Sequence, residues 1–226
     1  MITPGPQTSA PAADTGAGQA PRGYAKGRAR RAEIVRTAAS QFAEKGFGAA
    51  TILDIAAACR ISRAGLLHYF PDKEALLAAV LEERDAEDRA RFQAYTRAPG
   101  GIGILRGMVD LADHNRFVPG LIELFARLSA EAATPDHPAH DYFVRRYDRI
   151  RHDTARTLRA AARAGYLRAD VDPDDAAVRL TALSDGLESQ WLLNKRIDMA
   201  RHVRAAVVEL LTESGREAFG DSGAVT

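Results

Sequence analysis

Apolar side chains recur along this chain at intervals of three and four, the spacing that lines one face of an α-helix, while strict alternation and β-branched runs are nearly absent. The first such stripe is Ile34, Val35, Ala38, Ala39 and Phe42, and it ends at Gly46, a residue suited to a left-handed helix terminus. Thr51 and Asp54 form a capping-box-like pair that opens a very short helix running through Ala58. Ser62 caps a second short helix, and Asp72 a longer one holding Leu76, Leu77, Val80 and Leu81. Four helices therefore fit before the break at Pro99-Gly100-Gly101.

Beyond that break, Ile104, Leu105, Met108 and Leu111 mark one helix, and Leu121, Leu124, Phe125 and Leu128 mark another after Pro119. A long stripe follows through Phe143, Tyr147, Ile150, Thr154 and Leu158 until Gly165. Asp172-Pro173-Asp174-Asp175 supplies a cap, a proline at the first position and acids facing the helix dipole, so it starts a helix carrying Ala176, Leu180, Leu183, Leu187 and Trp191. A last helix from about Met199 carries Val203, Ala206, Val207 and Leu210. The pattern predicts an all-α chain of about nine helices: a three-helix head over 25–72, a connecting helix over 73–98, and a larger helical body over 99–214. Residues 1–24, rich in Pro, Gly, Ala, Ser and Thr with almost no apolar anchor, read as a disordered tail. The Gly-containing stretch 215–226 reads as a frayed one.

Composition is that of a water-soluble globular protein, with 46% hydrophobic and 27% charged residues in 226. No apolar run is long enough to span a bilayer and the N-terminus lacks a signal-peptide pattern, so no membrane partner and a cytoplasmic location are expected. Cys59 is the only cysteine, which excludes an intramolecular disulfide and a cysteine-based zinc site; it reads as a small buried hydrophobe, with a redox-sensing thiol as the lesser alternative. Charge becomes informative once divided along the chain. From Lys26 to Lys73 nine Lys/Arg face four Asp/Glu, a net +5, whereas the chain as a whole carries +1. A basic N-terminal third on a mildly acidic remainder points to a polyanion held at one end.

The most informative stretch is TILDIAAACRISRAGLLHYFPDKEALL, Thr51 to Leu77, in which two short helices meet at a turn through Cys59-Arg60-Ile61. Helices this short are unstable alone and make sense as a helix-turn-helix packed on the preceding helix through Ile52, Ile55, Ala56, Ile61 and Leu66. The opposite face of the second helix then displays Arg63, Ala64, Gly65 and His68, where small residues permit close approach to base edges and Arg and His supply donors.

Phe42 and Gly46, Thr51, Ile55-Ala56, Ile61-Ser62 and His68-Tyr69-Phe70 followed by Lys73 and Leu76 together resemble the DNA-binding domain of the tetracycline-repressor (TetR) family over about 50 residues. The resemblance implies that Thr51, Tyr69 and Lys73 meet phosphates, that Arg63, Ala64 and His68 face bases, and that a dimer binds a palindromic operator on double-stranded DNA until a small-molecule effector releases it. Two positions depart from the family pattern: Leu67 stands where a backbone-contacting tyrosine is usual, and Arg60 where glycine is common in the turn. The basic run Lys26, Arg28, Arg30 and Arg31 is a candidate DNA-contacting arm.

In the body, Met108, Phe117, Phe125, Phe143, Tyr147 and Trp191 are candidates for lining an effector pocket. Leu187, Trp191, Leu192, Val203 and Leu210 are candidates for a two-fold interface, because the stripes of the last two helices look wider than one monomer needs. His137, His140 and Asp141 have metal-like spacing, but Pro135 and Pro138 place the first of them in a loop and no further ligand is evident, so no metal and no cofactor is expected. The competing reading is an all-α small-molecule carrier or enzyme with no DNA role. No nucleophile motif, phosphate loop or paired-acid signature supports it.

Overall fold

The computed structural model describes residues 22–97 and 99–220; the side chains of 22–25 and of Pro99 lie outside the description. The expected tail over 1–24 therefore falls almost wholly outside the described residues, and the chain is already helical at Arg22. Among the described residues there are ten α-helices: α1 (Arg22–Ala49), α2 (Ile52–Ala58), α3 (Arg63–Tyr69), α4 (Lys73–Gln93), α5 (Ile102–Asn115), α6 (Pro119–Glu131), α7 (His140–Arg163), α8 (Pro173–Leu193), α9 (Met199–Leu210) and α10 (Glu213–Phe219). A short 3-10 turn at Pro99–Gly101 separates α4 from α5, and an antiparallel bridge pairs Leu167 with Leu211.

Local chemistry accounts for most of the boundaries. The side chains of Thr51, Ser62, Asp72, Asp172, Asp198 and Thr212 each accept a backbone N–H three residues on, satisfying donors that the first turn of a helix leaves open. The backbone of α1 breaks at Gly46, whose φ of 79° suits a residue without a Cβ.

Two hydrophobic cores form, and they do not divide at Pro99. The first joins Ile34, Phe42, Ile55, Leu66, Leu76 and Leu81 of the head and α4 to Leu124 and Leu128 of α6 and Phe143 of α7. Short helices cannot bury a stripe this wide against one another, so α6 supplies the missing wall. The second core gathers α5, the far half of α7, and α8 to α10 around Leu105, Leu158, Leu180, Trp191, Val203 and Phe219.

The expectation of a frayed C-terminus over 215–226 is corrected as far as Gly220 by α10, and residues 221–226 lie outside the described residues. Thr212 caps it, Phe219 is buried in the second core, and Arg106 donates to the carbonyls of Ala218 and Phe219. Gly215 is pressed so closely onto the Tyr166 carbonyl that a Cβ there would collide with backbone. Glycine thus serves as a packing residue where composition alone suggested looseness.

Candidate nucleic-acid interface and ligand cavity

The helix-turn-helix is built on buried anchors. Ile55 and Ala56 of α2 and Leu66 of α3 sink into the first core, Cys59 is buried at the end of α2, and Phe70 closes α3. In the turn Arg60 adopts φ 56°, while its N–H and that of Ile61 reach the Ala57 and Ala56 carbonyls at 2.9 and 3.0 Å. A left-handed arginine costs about 1 kcal/mol. Thr51 Oγ1 accepts from the Asp54 amide at 3.1 Å. The Asp54 carboxyl is held below the usual carboxylate range, first by hydrogen bonding to Thr51 and then by Lys45.

With those anchors inside, Thr51, Arg63, Ala64 and His68 are exposed, and Gly65 and Tyr69 are half-buried at the rim of the same surface. The His68 and Tyr69 rings meet edge to face at 5.6 Å. The basic run is not an irregular arm: Lys26, Arg28, Arg30 and Arg31 lie on the first turns of α1. Arg30 is tied to Glu33 at 2.7 Å, and the Arg31 guanidinium lies 4.8 Å from the centre of the Phe70 ring. An i,i+3 acid–base pair and a stacked guanidinium favour the helix that a flexible arm would lack. Lys73, at the start of α4, turns its ammonium toward the carbonyls of Phe47, Gly48 and Ala50.

A cavity of about 400 Å³ lies between α4, α5, α6, α7, α8 and the start of α9. Four of the expected pocket residues, Met108, Phe125, Phe143 and Tyr147, line it; Phe117 and Trp191 do not. Phe117 sits between α5 and α6, 65% exposed beneath the Arg116 guanidinium, and Trp191 is packed in the second core with the Lys195 ammonium 3.4 Å from its ring centre. Among the interface candidates, Leu187, Trp191 and Val203 face inward and are buried within the monomer, and Leu192 and Leu210 are half-buried against the same core. The exposed residues in the middle and end of α8 are instead Val178, Arg179, Ala182, Asp185, Ser189, Gln190 and Leu193, the last 91% exposed.

Sequence reasoning missed the polar half of the cavity. Asp85, buried on α4, receives Arg146 and, at 2.6 Å, Arg149 from α7. Arg84, also buried, pairs with Asp88 at 3.3 Å and donates to Asn115 Oδ1 at 3.0 Å; Asn115 Nδ2 in turn donates to Glu188 at 2.6 Å. Burial, then the neighbouring Asp185, pushes the Glu188 carboxyl up to about 7, and burial lowers the Arg146 guanidinium to about 10. Asp185 and Asp88 are raised by burial as well, and Tyr147 is raised to about 12. A signal was available: Arg84, Asp85 and Asp88 continue the three- and four-residue steps of Leu77 and Leu81, so they had to face the interior.

His137 and His140 do not converge on a common point. His140 Nδ1 lies 2.8 Å from the Ala132 carbonyl, and His137 Nδ1 accepts the Ala139 amide at 3.1 Å. No cluster of three potential metal-ligating side chains occurs among the described residues. No helix among them is long and apolar enough to cross a membrane.

Comparison with known proteins gives this architecture a context. Residues 34–80 match the family described as bacterial regulatory proteins, tetR family, and residues 104–213 match the C-terminal domain of BetI-type transcriptional repressors. The chain is 30% identical to the HTH-type transcriptional repressor Rv1474c of Mycobacterium tuberculosis over 83% of its own length and 94% of the relative's. It is 26% identical to the repressor AcnR of Corynebacterium diphtheriae, over 82% and 93% of the two chains. Among solved structures, a transcriptional regulator from Saccharomonospora viridis in complex with choline superimposes with a TM-score of 0.69 at 27% identity, covering 83% of this chain and all of that one. A capped helix-turn-helix with an exposed α3 face, joined through α4 to a hollow helical body and matched over both parts, makes this chain a member of the TetR family of DNA-binding transcriptional regulators.

Proposed function

We propose that the protein is a repressor that occupies a palindromic operator as a homodimer and leaves it when a small effector fills the cavity. The observation that carries this reading is the position of α4: its first turn follows the helix-turn-helix directly, and its later turns wall the cavity with Arg84, Asp85 and Asp88. One rigid helix therefore spans both sites, and an effector that prefers one setting of α4 shifts the population of DNA-competent dimers. Arg63, Ala64, Gly65 and His68 are assigned to base edges, and Thr51 and Tyr69 to phosphates. The cytoplasm is the compartment in which such a reader meets its operator.

The outward stripe of α8 is assigned to the two-fold contact, in place of the inward-facing residues expected from sequence. The test is a paired titration on a duplex selected from a random pool by the full-length protein. A true effector raises thermal stability and releases the duplex over one concentration range. Compounds that stabilise the protein while leaving every duplex bound would reduce the cavity to a structural feature.

A further inference from the structure

The family resemblance makes Lys73 a phosphate contact, but the geometry around it points elsewhere. An ammonium group has three N–H donors and no acceptor. Lys73 Nζ lies 2.8 Å from the Phe47 carbonyl, 3.2 Å from that of Ala50 and 3.3 Å from that of Gly48, so all three donors have partners in one short stretch. The same atom sits 4.3 Å from the centre of the Phe47 ring. These carbonyls lie beyond the break at Gly46, at and just past the end of α1, where helical carbonyls lack partners and partial negative charge collects. A phosphate oxygen can take a donor from Lys73 only by displacing one of them. The start of α4 is also supplied with acids: Asp72 accepts the Ala75 amide at 2.6 Å, and Glu74 stands in the first turn.

Phe47 extends the contact toward the body. It is buried, its ring packs at 5.5 Å on Phe42, and it meets His137, in the connection between α6 and α7, edge to face at 5.6 Å. The stretch that Lys73 holds runs directly into Thr51, the cap of α2. We propose that Lys73 is a positioning residue: its ammonium clamps the end of α1 to the start of α4 and sets the seat of the helix-turn-helix on the body, from which α3 reads bases. The inference rests on the DNA-binding reading and changes only how this lysine serves it.

The test uses full-length wild type, Lys73→Gln, Lys73→Arg and Phe47→Leu, each titrated by fluorescence anisotropy against the selected duplex and a scrambled one over a series of salt concentrations. Lys73→Gln is expected to lose about tenfold on the selected duplex and little on the scrambled one, with an unchanged salt slope. Lys73→Arg does not restore discrimination, because a planar guanidinium cannot direct three donors at three converging carbonyls. Phe47→Leu alters a buried side chain and shows the same selective loss, and the double variant with Lys73→Gln loses no more than the worse single, the non-additivity of one shared device. If Lys73→Gln does not fold, Phe47→Leu and Lys73→Arg carry the test.

In Lys73→Gln, a salt slope shallower by about 0.9 per phosphate no longer neutralised, together with equal weakening on both duplexes and rescue by arginine, would return Lys73 to the phosphates and overturn the proposal. A lowered melting temperature with intact discrimination would overturn it too, leaving a stabilising contact only. If the wild type itself shows no salt-dependent preference for the selected duplex, the DNA-binding reading fails whatever the variants do.

Discussion

Glu188 lines the cavity, hydrogen-bonded to Asn115, near Asp185 and within reach of the fields of Arg84 and Arg146. Its carboxyl, raised to about 7 in the fold from an ordinary 4.5, binds a proton in the native state that the unfolded chain has already released. Native stability attributable to this group is therefore complete below about pH 4.5 and declines as pH rises through 7. Glu188→Gln keeps an acceptor for Asn115 and removes the titration. The stability of the variant relative to wild type should grow between pH 5 and pH 8 by about 2–3 kcal/mol, read by chemical denaturation at each pH. A difference flat in pH would show that this carboxyl ionises normally. The exposed face of α3 was legible from the residues themselves, since caps at Thr51 and Ser62 fix the phase of α2 and α3 and leave Arg63, Ala64 and His68 outside. The charged cavity wall was not read, because Arg and Asp are ordinarily solvated and only their phase on α4 betrayed them.

At the scale of elements, α1 to α9 follow the spacing of apolar residues, whereas α10, though capped by Thr212, does not. Seven residues, one of them Gly215 and the next after them Gly220, offer almost no periodic stripe, and what holds α10 in place is largely tertiary: Phe219 in the second core, Arg106 on its last carbonyls, and Gly215 against Tyr166. Phe219→Ala is expected to cost about 3–5 kcal/mol and lower the melting temperature, an effect that a frayed tail would not produce. Phe117 and Trp191 illustrate the opposite limit. Residue type suggested a pocket for both, but position along the helical screw decides exposure, and Phe117 lies where α5 has already ended.

For the whole molecule, the proposed two-fold contact turns on α8. Val178, Ala182, Ser189 and Leu193 share its outward side, while Leu187 and Trp191 turn into the monomer core. Ala182→Arg should yield a folded monomer by light scattering whose operator affinity collapses, since a single head reaches only one half-site. A stable dimer in that variant would move the two-fold contact elsewhere. The first core, shared by the head with α6 and α7, bears on how such regulators are rebuilt. A chimaera joined at Pro99, carrying this reading head on a foreign sensor, would replace Leu124 and Leu128 with strangers and strip the cover from the first core. A graft that also carries the α1-facing side of α6 keeps that interior whole, so the exchangeable unit is a discontinuous surface and not a length of sequence.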